Sequence, residues 1–304
     1  MGPDKDLAQA ANTTTEFSEI APHTSEWKRV FKVFIGRPLP VVGLAIMVIL
    51  ILSAALAPWI APYDPYKMNF KDKLLPPSIH HIFGTDTLGR DTLSRIIYGS
   101  RNSLMVGLVV ISISGTAGII LGLLAGYRGG KTNTIIMRAM DVWMAIPVIV
   151  LALIIASLLG GGIKNVIIAL GIGMVPGPTR LMCGVTLSTR QNDYIIAGRS
   201  MGASNTRMMF RHILPNAFPP LLVMLTVGVG SAILMEAGLS FLGIGINPPG
   251  AAWGSMVSDG YKFLLTAPVL AISPGIAIML VVFSFNMVGD GLRDALDPRL
   301  RGLL

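Results

Sequence analysis

Apolar residues along this chain gather into six stretches that are free or nearly free of charge, at 41–61, 104–126, 142–160, 165–187, 218–242 and 267–289. Each is close to the roughly 20 residues that an α-helix needs to cross the hydrocarbon of a bilayer. The pattern therefore predicts an all-α integral membrane protein with six transmembrane helices. The fourth stretch holds Gly171, Gly173, Pro176, Gly177, Pro178 and Arg180, which predicts an interrupted helix, and the fifth holds one acid, Glu236. Ahead of the first, the segment 26–37 reads EWKRVFKVFIGR. Trp27, Val30, Phe31, Phe34 and Ile35 share one helical face, with Lys28, Arg29 and Lys32 largely off it. That fits a helix lying on an anionic leaflet, and equally a plain basic flank beside the span.

Two connections are too long to be turns. The stretch 62–103 contains Pro62, Pro65, Pro76 and Pro77, followed by GTDTLGRD from Gly84 to Asp91. The stretch 188–215 shows two short helical patterns around Gly202 and ends at Pro215, where the fifth span would begin. Ser204 is placed to cap the second piece, and Met208, Met209, Ile213 and Leu214 give it an apolar side. A patterned loop of this length is functional more often than slack, and a short, partly apolar helix pair predicts docking to a partner. The resulting organisation is a tail at 1–40, a first helix at 41–61, a segment at 62–103, a core at 104–290 and a tail at 291–304.

Composition supports the membrane reading. Hydrophobic residues make up 52% of the chain and charged residues 13%, with a mean hydropathy of +0.67. A soluble domain carries about 25% charged residues to hydrate its surface, so lipid must cover much of this one. The net charge of +8 does not indicate nucleic acid, because the Lys and Arg residues fall between apolar runs. Segments 1–40, 127–138, 188–215 and 293–304 hold 5, 3, 4 and 3 of them, against 6, 1 and 1 in 62–103, 161–164 and 241–266. The six in 62–103 lie in a long loop with four Asp, where the positive-inside rule is weak. The short loops place both termini in the cytoplasm. The polar start of the chain, with Asp4, Asp6, Glu16, Glu19 and Glu26, lacks the apolar core of a signal peptide.

Few residues suggest chemistry. Cys183 is the single cysteine, which leaves no disulfide framework. The run from Ala125 to Thr132, AGYRGGKT, matches a relaxed phosphate-loop pattern, but a true one joins a strand to a helix, and here apolar spans flank it. Arg128 and Lys131 read as ordinary inner-loop cations. His80 and His81 have no third ligand nearby, and no metal site is expected. No catalytic cluster lies in or near a span. Arg138 and Asp141, three apart, predict a helical pair, Arg180 is placed to snorkel at an inner helix end, and Asp290 ends the sixth span. Glu236 has two readings: a contact to a cationic substrate group or gate, or a structural pair or water-reached position near the outer end. Gly118, Gly122 and Gly126, four apart, predict close helix packing.

The stretch Asp193 to Gly202, DYIIAGRSMG, followed by HILP from His212 to Pro215, resembles the EAA motif of ABC importer permeases. Ile196 stands where that motif has Glu, Gly198 where it has the second Ala, and His212 where it has Ile. FGTDTLGRD from Phe83, LSFLGIG from Leu239, Trp253-Gly254 and GDGLRDALDP from Gly289 look like the dipeptide/oligopeptide/nickel permeases, in particular their C-type subunit. The resemblance runs from about Trp27 to Arg301. It implies a type I ABC importer permease fold in a bacterial or archaeal plasma membrane. It also implies a homologous B-type permease, two cytoplasmic ATPases and an extracytoplasmic binding protein as partners. ATP and Mg would bind the ATPases, with no cofactor on this chain. Asp193, Tyr194, Ala197, Gly198, Gly202, Ala203, Met208, Met209, His212, Leu214 and Pro215 would form the ATPase-coupling loop. Small residues there would let a short helix enter an ATPase groove, with Met208 and Met209 filling a pocket. Transport would follow alternating access, with peptide as the default cargo and nickel, glutathione or oligosaccharide as alternatives. A secondary transporter, the competing class, would want intramembrane acids and broken helices in matching halves. Glu236 and the fourth stretch give it little.

Overall fold

The computed structural model describes residues 26–246 and 249–296. The acidic N-terminal tail, His23 and the C-terminal 297–304, including Pro298 of the GDGLRDALDP stretch, lie outside the described residues. The elements are α1 (Glu26–Ile35), α2 (Pro38–Ala55), α3 (Ala57–Ile60), α4 (Thr92–Arg128), α5 (Gly130–Met144), α6 (Val148–Leu159), α7 (Ile163–Gly173), α8 (Pro176–Thr189), α9 (Asp193–Ser200), α10 (Asn205–Phe241), α11 (Trp253–Tyr261) and α12 (Val269–Leu296). Among the described residues there is no β-strand.

Five stretches are long and apolar enough to cross a membrane: α2, α4, the α7–α8 run Ile163–Thr189, α10 and α12. The expected third span is different. It starts inside α5 and continues into α6, and the two helices meet at 84°. Pro147 causes the break. A proline disfavours helical backbone in the residue before it, and Pro147 itself is extended and caps α6. At 1.5 Å per residue, α6 alone reaches only about 18 Å. The fourth span departs from expectation in the opposite sense. Pro176 sits in the first turn of α8, where a missing N–H costs nothing, and α7 and α8 continue as one 27-residue stretch.

The second and fifth spans extend well beyond their apolar cores. α4 has 37 residues, about 55 Å of helix at 1.5 Å per residue, so it projects past a hydrocarbon layer about 30 Å thick. Asp91 starts it, accepting hydrogen bonds from Ser94 N–H at 2.8 Å and Ser94 Oγ at 2.6 Å. α10 also has 37 residues and absorbs the second half of the 188–215 loop. Pro215, Pro219 and Pro220 lie within it without ending it, as happens in membrane helices whose freed carbonyls find other donors. Asn216 Nδ2, next to Pro215, also donates to the His212 carbonyl at 2.7 Å.

The core runs along α4, α7, α10 and α12 through Val106, Val110, Val166, Leu170, Ala232, Ile233 and Val281, all fully buried. α4 and α8 approach most closely, along the predicted glycine face. A Cβ on Gly118 would meet Pro178 Cβ at 2.6 Å, one on Gly122 the Thr179 carbonyl oxygen at 2.4 Å, and one on Gly126 Thr186 Cβ at 2.6 Å. α1 docks on the end of α12, where Phe34 packs with Val288 and Ala295 and Arg37 pairs with Asp294. Val30 and Val33 pack on the same cluster while Phe31 and Ile35 are exposed, so the helix is tied to the bundle as well as amphipathic. The side chains of Trp27, Lys28 and Arg29 lie outside the described residues.

The α4–α8 contact gives the first prediction. Gly122→Ala forces backbone away from backbone and should destabilise the protein by about 1–3 kcal/mol, read as a lower melting temperature in detergent. Gly184→Ala, in the facing helix α8 with nothing within 4 Å of an added Cβ, should leave the melt unchanged or raise it.

Candidate functional site

The chain between α8 and α10 builds the most distinctive surface feature. α9 is eight residues long. It ends in a paired motif in which the Ala203 N–H donates to the Gly198 carbonyl at 3.1 Å and the Gly202 N–H to the Arg199 carbonyl at 3.0 Å. Such an ending needs left-handed backbone at the residue between, and Gly202 supplies it with φ +81°. Ser204 then caps α10 as expected, accepting from the Arg207 N–H at 3.3 Å.

α10 opens with an unusual turn. The Leu214 N–H donates to the Met209 carbonyl five residues back, the signature of a π-helical turn. The wider turn lets Met208 and Ile213 both face inward, fully buried, with Ala217 and Leu221 following at intervals of four. This stripe packs on Leu123, Tyr127 and Met182, from α4 and α8. The structure therefore corrects the role expected of Met208 and Met209. They are 0% and 8% exposed and fill the chain's own bundle, leaving nothing to insert into a partner. Leu214 and Ala203 pack on the same cluster, and Gly198 lies against the Met208 sulfur, to which an added Cβ would come within 3.2 Å. Pro215 is no boundary between a loop and a span.

What faces outward is a second set. Ile195 is the buried anchor of α9, while Tyr194, Ile196, Met201 and Phe210 are 46%, 53%, 83% and 50% exposed. Asp193, Ala197 and Gly202 are exposed beside them, and His212 is half-buried. Tyr194 Oη accepts from Asn216 Nδ2 at 3.1 Å. Tyr127 Oη donates to Asn205 Oδ1 at 2.9 Å, and the Arg199 guanidinium lies 5.6 Å above the Tyr127 ring. α9 is thus rigidly seated yet keeps an apolar outer ridge. Sequence reasoning missed Met201 and Phe210. The signal was present in the regular spacing of 209, 213, 217 and 221, which assigns Met209 to the buried side and turns Phe210 outward.

Other candidates are resolved by their neighbours. Asp141 pairs with Arg180 of α8, and among the described residues no Arg138–Asp141 pair forms. Arg180 is accordingly bound across the bundle, and α12 runs past Asp290 to Leu296. The phosphate-loop look-alike is the turn between α4 and α5. A helix precedes it where a phosphate loop needs a strand, and Arg190 Nη1 fills it from α8's end, donating to the carbonyls of Gly126 at 3.1 Å and Tyr127 at 3.3 Å. His81 Nδ1 lies 2.9 Å from Asp91 Oδ1. Glu236 is fully buried in α10. Its Oε1 accepts from Ser240 Oγ at 2.6 Å, and Oε2 has no partner among the described residues. Among the described residues no cation pairs with it, and its side chain has no exposed surface in this chain. The Ser240 hydroxyl also accepts from the Ile246 N–H at 3.3 Å, tying Glu236 to the turn after α10.

At the opposite end, the 83–91 stretch folds onto the start of α4. Asp86 accepts from the N–H groups of Leu88 and Arg90 and from Arg90 Nε at 2.7 Å, and lies 3.5 Å from Arg95 Nε. Trp253, at the start of α11, donates from Nε1 to the Ile96 carbonyl at 2.9 Å. These residues are engaged in hydrogen bonds and ion pairs that hold the architecture of this end.

A multi-pass helical bundle with a short, outward-facing helix seated at one end is the architecture of a membrane permease subunit, and similarity agrees. Residues 118–302 match the model of the binding-protein-dependent transport system inner membrane component, and residues 25–77 match the N-terminal transmembrane domain of oligopeptide transport permease C. A probable D,D-dipeptide transport system permease protein, DdpC of Escherichia coli, is 43% identical over 88% of this chain and 90% of its own. The dipeptide transport system permease protein DppC of Alkalihalophilus pseudofirmus is 43% identical over 91% of each. The glutathione transport system permease protein GsiD of Pectobacterium atrosepticum is 41% identical over 90% of this chain and 92% of its own. The chain of an inward-facing MetNI methionine ABC transporter superposes with a TM-score of 0.56 over 67% of this chain and 98% of that one, at 19% identity, a shared fold. The chain belongs to the family of inner membrane components of binding-protein-dependent transport systems. The C-type permease resemblance read from the motifs is borne out.

The buried stripe predicts a contrast. Met208→Ala should open a cavity under α9 and cost about 2–5 kcal/mol, seen as a lower melting temperature in detergent. Met201→Ala, at an exposed position, should leave the melt within about 0.5 kcal/mol.

Proposed function

We propose that this chain is one of two homologous permease subunits of an ATP-driven importer for di- and oligopeptides. The reading pairs it with a B-type permease, two cytoplasmic ATPases and an extracytoplasmic binding protein. α9 is the coupling helix. Both termini and α9 face the cytoplasm, and segment 62–103 faces the binding protein. ATP and Mg bind the ATPases, which carry the hydrolysis. This chain holds no cofactor and catalyses no reaction. The observation that carries this reading is the outer ridge of Tyr194, Ile196, Met201 and Phe210 on a helix whose other side is locked into the bundle. Apolar side chains on a short, anchored helix suit a groove in a soluble partner. The rigid seat transmits the partner's movement to α10 in place of absorbing it. Peptide cargo follows the names of the dipeptide and peptide permeases at 41–45% identity, and the glutathione relative keeps that small peptide as the competing cargo.

The test is co-purification. Expressed with its neighbouring permease and ATPases, the wild-type chain should bring the ATPases with it. Ile196→Asp and Met201→Asp place a carboxylate where apolar contact is expected and should reduce ATPase recovery at least tenfold. Insertion and melting should not change, because both side chains are exposed. Undiminished ATPase recovery in both variants would remove the coupling role from α9.

A further inference from the structure

A pocket of about 340 Å³ lies at the start of α4, lined by Tyr66, Tyr98, Arg101, Asn102 and Met105. Its walls are fixed. The Tyr66 and Tyr98 rings meet edge to face at 6.0 Å, and Asn102 Nδ2 donates to the Ala251 carbonyl at 2.7 Å. The backbone before Tyr66 is held by Arg95 Nη1, which donates to the Pro65 carbonyl at 3.3 Å. Arg90 and Arg95 are both committed to Asp86. Arg101, six residues beyond Arg95 on the same helix, is exposed and has no carboxylate partner among the described residues. A planar guanidinium with free donors, set beside two aromatic rings, matches a carboxylate flanked by an organic body.

The same face of α4 continues beyond the pocket. Arg101, Leu108 and Gly115 recur every seven residues on α4, as do Met105, Ser112 and Ile119, so the two sets form one stripe along a helix. Further along that stripe Leu108, Ser112, Gly115 and Ile119 line a separate, largely apolar groove of about 410 Å³, together with Thr116 and Thr226. A cationic pocket followed on one helix face by an apolar groove is the arrangement a small, carboxylate-bearing solute would need to enter end first. A lipid phosphate would need the cation alone. An acidic side chain of the binding protein would use neither the cavity volume nor the groove.

Resting on the peptide-importer reading, we infer that Arg101, with Tyr66 and Tyr98, receives the C-terminal carboxylate of the cargo peptide at the outer mouth, and that the α4 stripe lines its path. The substrate class is thereby narrowed to peptides with a free carboxylate. Arg101 acts by ion pairing and the tyrosines by ring contact and hydroxyl hydrogen bonds.

The test uses the complete transporter, with both permeases, both ATPases and the binding protein, in proteoliposomes. Labelled dialanine is the probe. Arg101→Gln should lower dialanine uptake at least tenfold, Arg101→Lys should recover part of it, and binding-protein association with the vesicles should stay within twofold of wild type. p-Benzoylphenylalanine placed at Met105 should cross-link labelled dialanine to this chain. Uptake by Arg101→Gln within twofold of wild type overturns the inference. So does a cross-link to lipid or to the binding protein, or loss of binding-protein association with Arg101→Gln. Wild-type vesicles that import another solute but no dialanine overturn the peptide reading itself, and this inference with it. Wild-type dialanine uptake that is indifferent to Arg101 overturns this inference alone.

Discussion

The contact between α4 and α8 has no side chains to spare. Over three successive helical turns, glycines on α4 meet the backbone and β-carbons of Pro178, Thr179, Met182 and Thr186 at distances that exclude even a methyl group. In lipid the hydrophobic effect gives no drive to bring apolar helices together, so association relies on close van der Waals fit. This seam supplies it, and the two ends of the molecule depend on it. At one end α4 carries the Asp86–Arg90–Arg95 cluster and the Trp253 contact. At the other, Leu123 and Tyr127 of α4 and Met182 of α8 form the floor on which Met208 and Ile213 rest. Moving α8 away from α4 would loosen the seat of α9.

The five continuous crossings could be read from composition, because the mean hydropathy of a 20-residue run is a bulk property that tertiary context scarcely alters. Breaks and joints were harder to read. Pro147, Pro176 and Pro215 are the same residue in three similar apolar settings, and they do three things: one begins a new helix at 84°, one starts a helix that carries straight on, and one sits inside a helix. The outcome follows the position each takes in its helix: Pro147 is an N-cap, Pro176 lies in a first turn, and Pro215 follows the π turn. Asp141 shows the same limit. A partner three residues away suggested a local pair, while the ion pair forms with Arg180, 39 residues on.

At the candidate site, the motif spacing located α9, its Gly202 ending and the Ser204 cap, because these are local backbone requirements. It misassigned Met208 and Met209. Two adjacent methionines look like an apolar side of a short helix, and only the unbroken continuation into α10 shows that they extend the buried stripe of a long one. Glu236 was visible as an exception in the sequence, but its closure by Ser240 depends on the turn that follows α10.

The π turn in α10 has a mechanical consequence. α10 runs from Asn205 to Phe241, about 55 Å at 1.5 Å per residue, with Pro215, Pro219 and Pro220 leaving gaps in its hydrogen-bond ladder just after the π turn. At the π turn the hydrogen-bond register differs by one residue from that of an α-helix. A slip there would turn the rest of the rod about its long axis by roughly 100°, the angle between successive residues in an α-helix. The far end of that rod carries the buried carboxylate of Glu236 and the turn it holds through Ser240.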